Sequence, residues 1–161
     1  MHFGDDGTTY SARRCAKEQL KQSEVILLIE NDESDVFFFR RALSSCHFPG
    51  VVRVVGTAWQ ARDYMEGRGE FRDRSYFPLP NLIVCDLHLP GASGIDFVTW
   101  IREHPVYNFL PIILWSGSLP EKELQTIMAA GASSYQLKTP EFKTLCERVN
   151  EMLKYLPGPR T

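Results

Sequence analysis

Two periods of hydrophobicity alternate along this chain. Val25-Ile26-Leu27-Leu28-Ile29 is an unbroken apolar run rich in β-branched residues, the pattern of a strand buried on both faces. Glu30-Asn31-Asp32-Glu33-Ser34-Asp35 is polar and leads into a stretch where Val36, Phe39, Leu43 and Cys46 recur at helical spacing. Phe37 and Phe38 widen that face, and the expectation is extra core against a neighbouring helix. His47-Phe48-Pro49-Gly50 ends the helix. A second strand, 51–55, is interrupted by Arg53 and reads as an edge; Thr57 with Gln60 then forms a capping box for a helix stopped by Gly67 and Gly69. A long connection, 71–81, in which Arg72-Asp73-Arg74 reads as solvated, leads to a third strand, 82–85, that ends at Asp86. A helix from Gly94 to Glu103 carries Ile95, Val98 and Ile101 inward. The fourth strand, 111–115, ends at Ser116-Gly117, and Ser118 with Glu121 forms a second capping box for a helix that Gly131 closes. The fifth strand, 133–137, ends at Lys138, and Pro140 opens a last helix with Phe142, Leu145, Val149 and Leu153 as its apolar positions.

Strand and helix thus alternate five times, which predicts an α/β fold: a doubly wound, five-stranded parallel sheet with right-handed crossovers and five helices. The net charge of −2 sets up no field toward nucleic acid or an anionic membrane, and no partner of either kind is expected. No apolar stretch approaches the ~20 residues that span a bilayer. Residues 1–22 read as a polar extension without the apolar segment of a secretory signal, with a short helix over 12–20 as one form it could take; the expected location is cytoplasmic. Cys15, Cys46, Cys85 and Cys146 are scattered, and the last three sit within apolar patterns, as small buried hydrophobes in a reducing compartment do. The four histidines have no metal-ligand spacing.

The candidate chemistry lies at the strand ends. Strand one delivers Glu30 and Asn31, strand three Asp86, strand four Ser116 and strand five Lys138. In a doubly wound sheet these ends converge on one rim, where ligands bind. Taken alone, Asp86 reads equally well as a cap of the following helix. Acidic groups, a hydroxyl and an ammonium delivered to one rim are not what core packing requires.

Four segments carry a resemblance: Leu27-Leu28-Ile29-Glu30, the run from Cys85-Asp86-Leu87-His88 to Gly94, Leu114-Trp115-Ser116-Gly117, and Tyr135-Gln136-Leu137-Lys138. In this order and spacing the chain resembles the receiver domain of two-component response regulators over residues 25–156. It is most similar to the small stand-alone receivers of phytochrome-type sensor kinases, which share the long connection before strand three and Gly131-Ala132-Ser133-Ser134-Tyr135. The resemblance implies a flavodoxin-like strand order, 2-1-3-4-5, and a division into an extension 1–22, a receiver domain 23–156 and a tail 157–161. It implies a phosphoprotein, not an enzyme in the ordinary sense: Asp86 accepts a phosphoryl group from a sensor histidine kinase or phosphotransfer protein, and its only catalysis is that transfer and autodephosphorylation. Mg2+ would be held by Glu30 through water, Asn31, Asp86 and the backbone carbonyl of His88. Lys138 would pair with phosphoryl oxygens, Ser116 would hydrogen-bond one of them, and Tyr135 would be the switch aromatic that turns inward as Ser116 moves. Output would be by protein contact through the fourth helix, fifth strand and fifth helix; the apolar face over 142–156 also suits a homodimer.

Three positions depart from that pattern. Asn31 stands where the family places a second acidic residue. An amide oxygen can bind Mg2+ but brings no charge, and two unit charges at ~4 Å are worth roughly 4 kcal/mol at an effective dielectric near 20, so the metal site is expected to be weak. Lys138-Thr139-Pro140 replaces the usual Lys-Pro. A cis bond before Thr139 would cost ~2.5–4 kcal/mol, yet the following helix aligns without a gap, and a cis bond is the expectation. Trp115 is unusual before Ser116 and reads as packing against the fourth helix or as a docking surface. Asn31 and Thr139 also define an alternative: a phosphorylation-independent pseudo-receiver, an interaction module with a degraded pocket. A flavodoxin-like cofactor binder is disfavoured, because no Gly-rich phosphate loop follows strand one and the acidic 30–35 segment would repel an anion.

Overall fold

The computed structural model describes residues 23–158; the extension 1–22, with Cys15 and the helix expected over 12–20, and residues 159–161 of the tail lie outside the described residues. Five strands, β1 (Val25–Ile29), β2 (Val51–Val55), β3 (Leu82–Asp86), β4 (Ile112–Ser116) and β5 (Ser134–Leu137), form one sheet in the order β2-β1-β3-β4-β5. Every pairing is parallel. Between and after them run α1 (Glu33–Ser45), α2 (Ala58–Glu66), α3 (Gly94–Arg102), α4 (Glu121–Ala130) and α5 (Phe142–Leu153). Order and element count match the expectation, and Arg53 does sit on an edge strand.

The sheet is buried on both faces, and period-2 alternation sorts its side chains. Leu27, Ile29, Ile83, Cys85, Ile112 and Leu114 pack under α2, α3 and α4; Ile26, Leu28, Leu82, Val84, Ile113 and Trp115 pack under α1 and α5. Each fully buried aliphatic side chain stabilises the fold by about 1.5–3 kcal/mol before chain entropy is counted.

Helix starts determine how the rim is shaped. Asp32 caps α1 by accepting from the Asp35 N–H at 2.9 Å. Thr57 caps α2, but Gln60 Oε1 accepts from Gly56 N–H rather than from the cap residue itself. Ser93 and Asp96 form a reciprocal capping box on α3 that the sequence pattern did not single out. That box frees Asp86 from any capping duty. The expected Ser118–Glu121 box is absent: Pro120, with an extended ψ of 139°, occupies the N-cap of α4 without a side-chain bond, and α4 begins only at Glu121.

Two further expectations fail. Phe37 and Phe38 are not core: they are 58% and 44% exposed and stack edge to face at 5.3 Å. The sheet and α5 take the stripe of Phe39, Ala42 and Leu43, with Val36 and Cys46 half-buried along it, which leaves the flank of α1 to solvent. Arg74 is not merely solvated: its guanidinium donates to the carbonyls of Tyr64 (2.7 Å), Met65 (2.6 Å) and Phe77 (3.1 Å), closing the end of α2 and tying down the connection to β3. Cys85 is buried, and Cys46 and Cys146 are half-buried free thiols.

Candidate functional site

The carboxyl ends of β1, β3 and β5 meet over one basin. Glu30 follows β1 and is 2% exposed; its Oε1 accepts from Asp32 N–H at 3.0 Å. Asp86 closes β3 and is 7% exposed; its Oδ1 accepts from His88 N–H at 3.1 Å, where the chain turns back over the carboxylate. Gly94 makes that turn fit, because a Cβ there would lie 2.4 Å from the Asp86 carbonyl oxygen. Lys138 follows β5, and its backbone N–H donates to the Ser116 carbonyl at 2.7 Å, extending the β4–β5 ladder by one bond.

The ammonium of Lys138 joins the three elements. It donates to Glu30 Oε2 at 2.6 Å, Asp35 Oδ2 at 2.7 Å and Asp86 Oδ2 at 3.3 Å. It also lies 5.0 Å from the centroid of the Trp115 ring. Burial opposes its charge, but the bonds to Asp35 and Glu30 and the fields of Glu30 and Asp86 outweigh that and hold its pKa well above the ordinary lysine value. Burial pushes the Glu30 carboxyl up; the bonds from Lys138 and Asp32 N–H offset only part of that.

Glu30, Asp86 and Lys138 are therefore brought together as the strand ends foretold. Other candidates stand apart. Asn31 is exposed at the rim, with its Cβ beside Gly56 of the β2–α2 turn, and is not a partner of Lys138. Ser116 is fully buried, and its hydroxyl donates to the Ser118 carbonyl at 2.9 Å. Tyr135 is half-buried against the α2–α4 side of the sheet. No peptide bond among the described residues is cis, so Lys138–Thr139 is trans, contrary to expectation. The long lysine stem brings Nζ to all three carboxylates without the energetic cost of a non-proline cis bond. Trp115 is 2% exposed, rests at 5.3 Å against Phe39 of α1 and packs on the α1–α5 side rather than against α4, so it offers no docking surface.

Sequence reasoning missed Asp35. The signal was available: Asp35 lies one helical turn after Asn31, on a helix whose cap, Asp32, fixes its first turn.

The donor set suits Mg2+ in kind, since buried and half-buried carboxylate oxygens at a solvent-facing rim leave coordination positions for water. Among the described residues, however, no three His, Cys, Asp or Glu side chains are grouped to hold a metal ion. The carboxylates converge on the Lys138 ammonium.

The model of the response regulator receiver domain family matches residues 26–150. The chain belongs to that family. Among curated relatives, response regulator Rcp1 of Synechocystis is 23% identical over 135 residues, 84% of this chain and 85% of Rcp1. Among solved structures, the phosphorylated cyanobacterial phytochrome response regulator RcpA superposes with a TM-score of 0.76 at 23% identity, covering 86% of this chain and 97% of that one. The Mn2+-bound form of Rcp1 superposes with a TM-score of 0.73 at 22% identity, over 86% and 97% of the two chains. The chain is thus a receiver domain of two-component signalling. No helix among the described residues is long and apolar enough to cross a membrane.

Proposed function

We propose that this receiver accepts a phosphoryl group on Asp86 and signals by protein contact. The observation that carries the reading is the single ammonium of Lys138 held within 3.3 Å of Asp86 Oδ2 while also bonded to buried Glu30. An Asp86 oxygen attacks the phosphorus of a phosphohistidine in the donor protein. The P–N bond breaks, the imidazole leaves as the neutral ring once protonated, and a mixed carboxylic–phosphoric anhydride forms. The barrier is met by positioning and charge rather than by covalent help from the protein.

Asp86 is aimed by His88 N–H on one oxygen and by Lys138 on the other. Lys138 then exchanges a carboxylate for a phosphoryl oxygen as a point charge. Glu30, Asp86, the Asn31 amide and the His88 carbonyl are the groups that would hold Mg2+, which when bound supplies positive charge to the phosphoryl oxygens. Loss of a carboxylate at position 31 makes that site weak. Ser116 gives up its bond to the Ser118 carbonyl to reach the phosphoryl group, and Tyr135 moves into the space it leaves. Hydrolysis by water returns Asp86 and inorganic phosphate. The assembly of Asp86, Glu30 and Lys138 in one basin supports this reading over the phosphorylation-independent alternative.

The test is incubation with acetyl phosphate and Mg2+, followed by intact mass. One added phosphoryl group, absent in Asp86→Asn, is the expected result. No addition, together with no binding of beryllofluoride, would overturn the reading. Asn31→Asp should tighten Mg2+ binding, and submillimolar affinity unchanged by that substitution would refute the weak metal site.

A further inference from the structure

Asp35 is the member of the basin that neither the strand ends nor the family pattern announced. Its Oδ2 lies 2.7 Å from Lys138 Nζ, within 0.1 Å of the distance to Glu30, and its side chain is 34% exposed whereas that of Glu30 is fully buried. It is also held in place. Its N–H donates to Asp32 Oδ1, and Asp32 N–H donates to Glu30 Oε1, so one chain of bonds fixes both carboxylates on the same ammonium.

We infer that Asp35 sets the charge of the basin, restoring from the first turn of α1 the negative charge that Asn31 does not supply, so that it favours cation binding while holding back phosphoryl transfer. The inference rests on the phosphoacceptor reading of Asp86. Glu30 and Asp86 against Lys138 would leave a formal excess of one negative charge; Asp35 raises it to two, the value an aspartate at position 31 would give. The relocated charge has a different partner. An aspartate at position 31 would face the metal, whereas Asp35 faces the lysine.

Two opposite consequences follow from that placement. The extra carboxylate draws a divalent cation into the basin. It also occupies one of the three N–H donors of the ammonium, all of which are already engaged, and it adds repulsion against an arriving anionic phosphoryl donor. A phosphoryl group on Asp86 therefore gains Lys138 at the expense of Asp35, the most exposed and least desolvated of its three partners.

The test uses the full chain with Asp35→Asn and Asp35→Glu. Mg2+ and Mn2+, each alone, are titrated against intrinsic tryptophan fluorescence, to which Trp115 contributes with its ring centroid 5.0 Å from the Lys138 ammonium. Phosphorylation by acetyl phosphate is then timed at saturating Mg2+. In Asp35→Asn, cation affinity should fall by about tenfold while the rate constant at saturating Mg2+ rises severalfold, the scale expected for removing one partly screened unit charge. Asp35→Glu, which keeps the charge, should stay near the parent in both. A merely structural role would lower affinity and rate together, and that result overturns the inference, as does no change in either quantity. A parent that takes up no phosphoryl group and binds no beryllofluoride overturns the Asp86 reading and this inference with it. A parent that is phosphorylated while Asp35→Asn behaves identically overturns the Asp35 inference alone.

Discussion

At the scale of single residues, Gly94 has a tight geometric requirement. An added Cβ would sit 2.4 Å from the Asp86 carbonyl oxygen and 3.1 Å from Leu87 Cα, both backbone atoms with no rotamer to yield. Gly94→Ala should cost about 1–3 kcal/mol in urea unfolding and slow phosphorylation of Asp86, because the shift falls on the strand end that aims the carboxylate. Retention of both stability and rate would show that the β3–α3 turn has slack. The residues legible beforehand were those whose position follows from strand direction alone: Glu30, Asp86 and Lys138 are the first residues past, or the last within, their strands. The place of Asp35 in the first turn of α1 was legible, but its contact with Lys138 and the orientation of Ser116 were not. Both depend on rotamers and on where a helix begins, which residue spacing does not specify.

At the scale of elements, the basin ties α1 to β5 through one cation. Replacing Lys138 with Met leaves Glu30, Asp35 and Asp86 facing one another without a counter-charge. The Glu30 carboxyl is already raised by burial, so its ionised form detracts from stability, and that stability returns as pH falls through its folded-state pKa. Lys138→Met should therefore be less stable than the parent by about 2 kcal/mol at neutral pH, a value reduced from that of a fully buried pair because the ammonium is partly solvated. The gap should narrow as the pH of the unfolding experiment is lowered toward that of an ordinary carboxylate. A gap that widens would mean the carboxylates were never in conflict. Element existence was readable because continuous apolar runs and 3.6-residue stripes differ sharply here. The extent of the stripe was not: Phe37 and Phe38 extended it in sequence, while α1 has too little neighbouring surface to cover them.

At the scale of the whole molecule, alternation and crossover handedness leave few topologies, and the observed order is one of them. What periodicity could not foresee is how the long connection before β3 closes the opposite end of the sheet. Tyr64, Phe71 and Phe77 cluster with ring centroids 5.1–5.9 Å apart, Arg74 caps three carbonyls beside them, and Asn81 bonds Val25 at the start of β1. Arg74→Gln should lower stability by about 1–3 kcal/mol in thermal melting, the cost of charged hydrogen bonds lost to part-buried carbonyls. It should leave phosphorylation of Asp86 unchanged, since the two lie at opposite ends of the strands; a slowed reaction would show that the ends are coupled.

The bond from the Ser116 hydroxyl to the Ser118 carbonyl keeps the resting arrangement in place. Breaking it leaves a buried hydroxyl unpaired at a cost of about 1–3 kcal/mol, so thermal motion leaves it broken in between about one molecule in six and about one in 160. On the proposed reading, a resting population would always hold a fraction of molecules partway toward the signalling form, and the background hum of such a pathway would be set by one hydroxyl.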